Sequence, residues 1–261
     1  MAVQVLAVSD MVDPRIHSAS LRHRMPGVTL VFGCGDVPAT YLEFLADALD
    51  KPVYFVFGNH QEELLRLGVR GHRYQPLGCV NLGSRVVRDD WTGLILAGLP
   101  GSPRYGGNGT EQYSEFELYG MIARMTPRLL WNRLRHGRAL DVLITHAPPR
   151  DVNDAADVAH RGFKAIRSFL RWFRPAYQLH GHVHLYDRSQ SAVTTFEQTE
   201  VINVYPFQVL DLHVPVREPA AESDDSPVEQ PSAARPAPER VPKAVVAPAA
   251  AAMETSSERS T

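Results

Sequence analysis

The sequence predicts an α/β protein whose central strands run parallel. Three observations carry this. Short apolar runs recur over the first 210 residues, each stopping abruptly at a glycine or a polar residue, as buried strands do. Helical patterns lie between several of them, and a strand–helix–strand rhythm implies parallel pairing. Five of the runs close on an Asp, Asn or His, so polar side chains collect at the strand carboxyl ends, the edge where open α/β sheets bind ligands.

Val3 to Val8 is the first strand, ending at Ser9-Asp10, and Pro14 keeps the following connection from becoming a helix at once. Val28 to Phe32 is the second, ending Gly33-Cys34-Gly35-Asp36. The glycines permit a tight turn that lands Asp36 beside Asp10. Asp36 could equally cap a helix that Pro38 opens and that runs to about Leu49. Cys34 reads as a small buried apolar residue. Pro52 to Phe57 is the third strand and runs into Gly58-Asn59-His60. An amide oxygen can ligate a divalent metal and a histidine can exchange a proton near neutral pH, but the triplet reads equally as a tight turn.

Gln61 to Leu67 is expected as a short helix, then Val80 to Val87 and Leu94 to Leu99 as strands with turns at Gly83 and Gly93. The Gly-, Ser- and Asn-rich loop from Pro100 to Gln112 carries Arg104 and Tyr105, candidates for substrate contact. Tyr113 to Arg135 is a long helical pattern bent near Pro127. Asp141 to Thr145 is a buried strand ending in His146-Ala147-Pro148-Pro149, whose prolines hold the histidine at a rigid turn. His160 to Arg174 reads as an amphipathic helix, with Phe163, Ile166, Phe169, Leu170 and Phe173 as its apolar stripe and a solvated basic face. Ala176 to Leu179 leads into His180-Gly181-His182-Val183-His184, and the runs Ala192 to Phe196 and Val201 to Val209 finish the sheets. Cys79 and the three tryptophans read as packing residues.

Hydrophobic content of 44% and a formal net charge of −2 describe an ordinary globular chain with no global field to draw it onto nucleic acid or an anionic membrane. Two cysteines exclude a disulfide framework and a thiolate zinc site. The amino terminus lacks a basic n-region, and no apolar run approaches membrane-spanning length, so the expected location is cytoplasmic. Residues 215–261 hold no aromatic residue and eight of the 20 prolines. They are expected as a disordered Pro/Ala/Ser/Glu-rich tail behind a domain at 1–214.

The strand ends offer Asp10, Asp36, Asn59 with His60, His146, and His182 with His184. Oxygen donors mixed with imidazoles, without thiolates, suit Mn²⁺, Fe, Zn²⁺ or Co²⁺ better than Mg²⁺. Gly35-Asp36, Gly58-Asn59-His60, Thr145-His146 and Gly181-His182-Val183-His184, in that order, resemble the motif series of the calcineurin-like metallophosphoesterases. Val8-Ser9-Asp10, the stretch from Gly98 to Tyr105 and Thr145 to Pro149 further resemble a bacterial branch related to cyclic-nucleotide phosphodiesterase-like members.

The resemblance covers residues 3 to 210 and implies a four-layer α-β-β-α sandwich of two facing mixed sheets. It implies a metal-dependent phosphoric-ester hydrolase, phosphodiesterase-like, acting on a small phosphoester or nucleotide. Two divalent cations are implied, Mn²⁺ foremost. Asp36 would bridge them, Asp10 and His184 would hold the first, and Asn59, His146 and His182 the second. Such a dinuclear centre activates a water for in-line attack, and His60 would contact the phosphate or protonate the leaving group, worth ~10²–10⁴ in rate.

Two positions depart from the family pattern. Its first motif is Asp-X-His, but here it reads Asp10-Met11-Val12, and valine cannot ligate. The first site would thereby be weaker or more water-rich while two-metal hydrolysis survives, with Asp13 or His17 as candidates to compensate. Gln61 stands where an acidic residue is usual and would tune His60 less strongly. Two other functions stay open: a non-catalytic metal-binding or regulatory module on the same fold, and a phosphomonoesterase or protein phosphatase.

Overall fold

Apolar residues on both sides of the first strand already separate two cores. β1 (Ala2–Val8) turns Val3, Val5 and Ala7 into one apolar cluster and Leu6 and Val8 into another, the alternation a pleated strand imposes. The computed structural model describes residues 2–60, 66–67, 73–106, 110–186 and 191–213. After β1 come α1 (Leu21–Arg24), β2 (Leu30–Gly33), α2 (Ala39–Leu49), β3 (Val53–Phe55), the short antiparallel pair β4 (Arg66–Leu67) and β5 (Arg73–Tyr74), and β6 (Cys79–Asn81). The second half forms β7 (Arg85–Arg88), β8 (Ile95–Leu99), the parallel pair β9 (Ser102–Pro103) and β10 (Gln112–Tyr113), α3 (Glu115–His136), β11 (Val142–Thr145), α4 (Lys164–Phe173), β12 (Tyr177–His180), β13 (Val193–Phe196), β14 (Thr199–Asn203) and β15 (Phe207–His213).

Two mixed sheets result. One has five strands in the order β15-β1-β2-β3-β6, parallel except for β15, which runs antiparallel to β1. The other has six in the order β13-β14-β12-β11-β8-β7, with a parallel centre and antiparallel strands at both edges. Val5, Ala7 and Phe32 from the first sheet pack with Leu96, Ile144 and Leu179 from the second, so the sheets face each other across one apolar layer. α2 covers the outer face of the first sheet through Tyr41, Leu42 and Leu45. α3 and α4 cover the outer face of the second through Leu118, Ile122, Phe169 and Phe173. This is the four-layer α-β-β-α sandwich.

The helix ends follow their local chemistry. Ser114 and Glu117 form a reciprocal capping box at the start of α3, and Gly137 closes it in a left-handed turn. Pro127 lies within α3, and the helix continues through it.

Several expectations change. α4 begins at Lys164, so residues 160–163 are loop rather than helix. Of the helix expected at 61–67, residues 61–65 lie outside the described residues and Arg66–Leu67 is a strand. The run Val201 to Val209 is two strands, because β14 and β15 belong to different sheets. Asp36 does not cap α2, whose N-cap is Pro38 without a side-chain bond. Trp91, Trp131 and Trp172 are all more than half exposed and do not fill a core. The tail at 215–261 lies outside the described residues. Among the described residues no helix is long and apolar enough to cross a membrane.

Candidate metal centre

The loops that leave the carboxyl ends of β1, β2, β3, β11 and β12 meet at one edge of the sandwich. They are tied by their own backbones. The Asp10 amide donates to the Gly35 carbonyl at 3.1 Å, and the Gly181 amide donates to the His146 carbonyl at 3.1 Å. The His182 amide donates to Asp10 Oδ2 at 2.9 Å, joining the first sheet's loops to the second's. Asp10, Asp36 and His182 all have positive φ, at 62°, 52° and 66°. Asp and His enter this region more readily than most side chains, yet a non-glycine residue there still costs of order 1–3 kcal/mol, and such strain gathers at functional sites. Gly58 makes room, since a Cβ there would lie 2.1 Å from Asp36 Oδ1.

The result is a cleft of about 160 Å³ lined by Asp10, Asp36, Asn59, His60, Tyr105, Ala159, His160, His182 and His184. A larger depression of about 490 Å³ between α3 and α4, lined by Arg133, Arg138, Arg171 and Trp172, gathers none of these groups.

At the floor of the cleft His146 is fully buried. Its Nδ1–H donates to the Cys34 carbonyl at 2.9 Å, which aims Nε2 inward. Nε2 faces Asp36 Oδ2 at 3.1 Å and Asn59 Oδ1 at 3.0 Å. An imidazole nitrogen, a carboxylate oxygen and an amide oxygen therefore converge, and only a proton or a cation can sit among them. Asp10, Asp36 and His146 each offer a donor atom within 4.8 Å of the other two. Asp36 also accepts from the His60 amide at 2.9 Å through Oδ1 and from His60 Nδ1 at 2.9 Å through Oδ2. His182 donates Nε2–H to the Ala159 carbonyl at 2.7 Å, leaving Nδ1 for the cleft. His184 lies 3.6 Å from Asp10 Oδ1 through Nε2, bonds Tyr186 Oη through Nδ1 at 2.8 Å, and stacks on Tyr205.

The electrostatics follow. Burial works against the charged form of Asp36, yet neighbouring His146 and the His60 amide hold it well below the usual carboxylate range. Burial pulls His146 down, but the Asp36 carboxylate outweighs it and raises the imidazole to about 9. Burial pushes His182 down to about 3, so it stays neutral. A proton on His146 Nε2 thus occupies the position a cation would take, and binding must expel it. The affinity for Mn²⁺ is therefore expected to rise with pH up to about 9, by as much as ~tenfold per pH unit if one proton leaves per ion. Calorimetric titration across that range checks this; an affinity independent of pH would contradict it.

The model of the calcineurin-like phosphoesterase family matches residues 8–186. The chain belongs to the calcineurin-like phosphoesterases. Metal-dependent phosphoester hydrolysis is the general chemistry of that family, and divalent ions are its cofactors. Among solved structures, TT1561 of Thermus thermophilus aligns at 13% identity with a TM-score of 0.51, covering 82% of this chain and 100% of that one. The calcineurin-like phosphoesterase YfkN from Bacillus subtilis aligns at 12% identity with a TM-score of 0.41, covering 80% and 84%. At such identities TT1561 shows the fold alone. Comparison with curated proteins finds no significant relative.

The donor set fits divalent cations: two carboxylates, an amide oxygen and imidazoles with their outer nitrogens already engaged. The structure brings Asp10, Asp36, Asn59, His60, His146, His182 and His184 together. Tyr105 joins them, accepting from Asn59 Nδ2 at 3.0 Å. Arg104 does not. Its guanidinium turns to Glu117 at 3.2 Å, because the acidic start of α3 lies on that side of the loop. Neither candidate to compensate for Val12 reaches the cleft: Asp13 is clamped by Arg15, and His17 packs edge-on to Tyr41 and Phe44. His160 was not legible as a site residue. Its only signal was Asp157 three residues before it and Gly162 after it, a turn rather than a helix start.

Proposed function

We propose that this phosphoesterase hydrolyses a phosphodiester of a small molecule or nucleotide at a centre of two divalent cations, Mn²⁺ foremost. The observation that carries the reading is the convergence of His146 Nε2, Asp36 Oδ2 and Asn59 Oδ1, with Asp10 and His184 paired in the same cleft. Asp36 would serve both ions, Asp10 and His184 the first, and Asn59, His146 and His182 the second. Bound there, the ions would supply charge neutralisation of the phosphoryl oxygens and a hydroxide-like nucleophile at neutral pH.

The chain's own residues do the rest. The Cys34 and Ala159 carbonyls fix the ring orientations of His146 and His182. His60 is the exposed imidazole at the mouth, held to Asp36 by its own amide. It is placed to donate a proton to the departing alkoxide or to grip a phosphate oxygen. Tyr105 stands beside it with a hydroxyl that can donate to substrate. A small cleft with an exposed mouth suits a compact phosphoester.

The test is hydrolysis of a chromogenic phosphodiester beside its monoester by Mn²⁺-loaded protein. Diester turnover is expected. Monoester turnover alone would move the substrate class to phosphomonoesters, and silence on both with metal bound would favour a non-catalytic binding module.

A further inference from the structure

The position of Val12 leaves the Asp10–His184 side one imidazole short. Val12 packs into the apolar layer under α2, and Asp13 and His17 are engaged away from the cleft. We propose that His160 takes over as a protein ligand to the cation on the Asp10–His184 side. This rests on reading the cleft as a two-cation centre and names a ligand the family motifs do not contain.

The geometry supports it in three ways. His160 lines the same cleft as Asp10 and His184. Its ring centroid lies 6.4 Å from that of His184 and 5.1 Å from that of His182. Two imidazoles on one ion, with metal–nitrogen bonds of about 2.1 Å, have centroids about 4.6 Å apart at a right angle and about 6.5 Å apart when opposed; the 6.4 Å to His184 lies near the opposed end of that span, and the 5.1 Å to His182 lies inside it.

The ring is also oriented as a ligand is. His160 Nδ1–H donates to the Asp157 carboxylate at 3.0 and 3.1 Å. Nε2 has no hydrogen-bond partner among the described residues. His146, His182 and His184 share the arrangement, one nitrogen engaged outside and the other turned toward the cleft. An outer carboxylate that fixes the tautomer and ring orientation of an imidazole is what metal-binding histidines use. Asp157 is itself fixed, accepting from the Ala159 and His160 amides at 3.1 Å each.

Finally, the turn is anchored to the centre. Ala159, next to His160, supplies the carbonyl that holds His182. The loop cannot drift without moving a second ligand. With His160 the first ion would have Asp10, Asp36, His184 and His160, matching the four protein donors of the second.

The experiment uses the full chain, stripped with chelator and titrated with Mn²⁺ by calorimetry and with Co²⁺ by visible absorption. Wild type is expected to bind two ions. His160→Ala and the bulkier His160→Gln should each weaken one of the two by at least ~10–100-fold and change the Co²⁺ spectrum of that site only. Asp157→Asn should weaken the same ion by about tenfold. Since His160 lies in a part-exposed loop, these variants should melt like wild type in chelator. Two ions bound by both His160 variants with wild-type affinity and spectrum would overturn the proposal while leaving the two-cation reading intact. Fewer than two ions in wild type, or an Asp36→Asn variant that keeps both, would overturn the reading and the proposal together.

Discussion

Asp36→Asn lowers phosphoester turnover by at least ~10²–10³-fold, the usual loss when one preorganised electrostatic contributor is removed. Among the described residues, Asp36 is the carboxylate that faces both His146 at 3.1 Å and the His60 ring at 2.9 Å. It is 6% exposed, and asparagine preserves its volume, so packing is little changed. Lost instead is the negative charge that could serve two cations. Its second oxygen becomes an NH₂ that presents a donor where an acceptor is required. Steady-state kinetics on the diester, with metal content measured in parallel, check the expectation. Turnover within tenfold of wild type would remove Asp36 from the centre of the mechanism.

Gly181→Ala reduces activity more than stability. A Cβ at this position would lie 1.7 Å from Ser9 Oγ and 2.3 Å from Asp10 Oδ2. Ser9 is held by the Cys34 and Gly35 carbonyls, and Asp10 by the His182 amide, so neither can step aside freely. Overpacking at a tight contact costs about 1–3 kcal/mol, which the extensive sheet core can absorb. The displacement, however, falls on the joint between the two sheets' loops and separates Asp10 from His182 and His184. A misplacement of about 1 Å costs on the order of 10²-fold in rate. Thermal melting and kcat on the same sample separate the two effects. A variant that melts far earlier yet retains its rate would contradict this account.

The strand-end residues were legible because strand carboxyl ends are marked by abrupt changes in side-chain chemistry: Val8 to Ser9-Asp10, Phe57 to Gly58-Asn59-His60, Thr145 to His146. Arg104 turns to Glu117 instead of the cleft, which composition could not reveal, since it marks a loop as permissive but does not say which way its side chains turn. His160 reads as the start of a helix because the apolar stripe from Phe163 onward has helical period. Nothing in a periodicity marks where the first turn begins. The run Val201 to Val209 looks like one strand because β14 and β15 are both apolar. Their assignment to opposite sheets depends on partners far away in the chain.

By itself the sequence determined the alternation of strands and helices, the family, and which chemical groups stand at the strand ends, because burial periodicity and motif order are local properties. Only the tertiary structure decided that the ends of two different sheets close on one cleft. It alone made Asp36 face His146 across 110 residues of chain and brought the loop histidine His160 into the same cleft. Those outcomes depend on how the two sheets face each other, an arrangement set by side chains from both sheets packing into one shared layer.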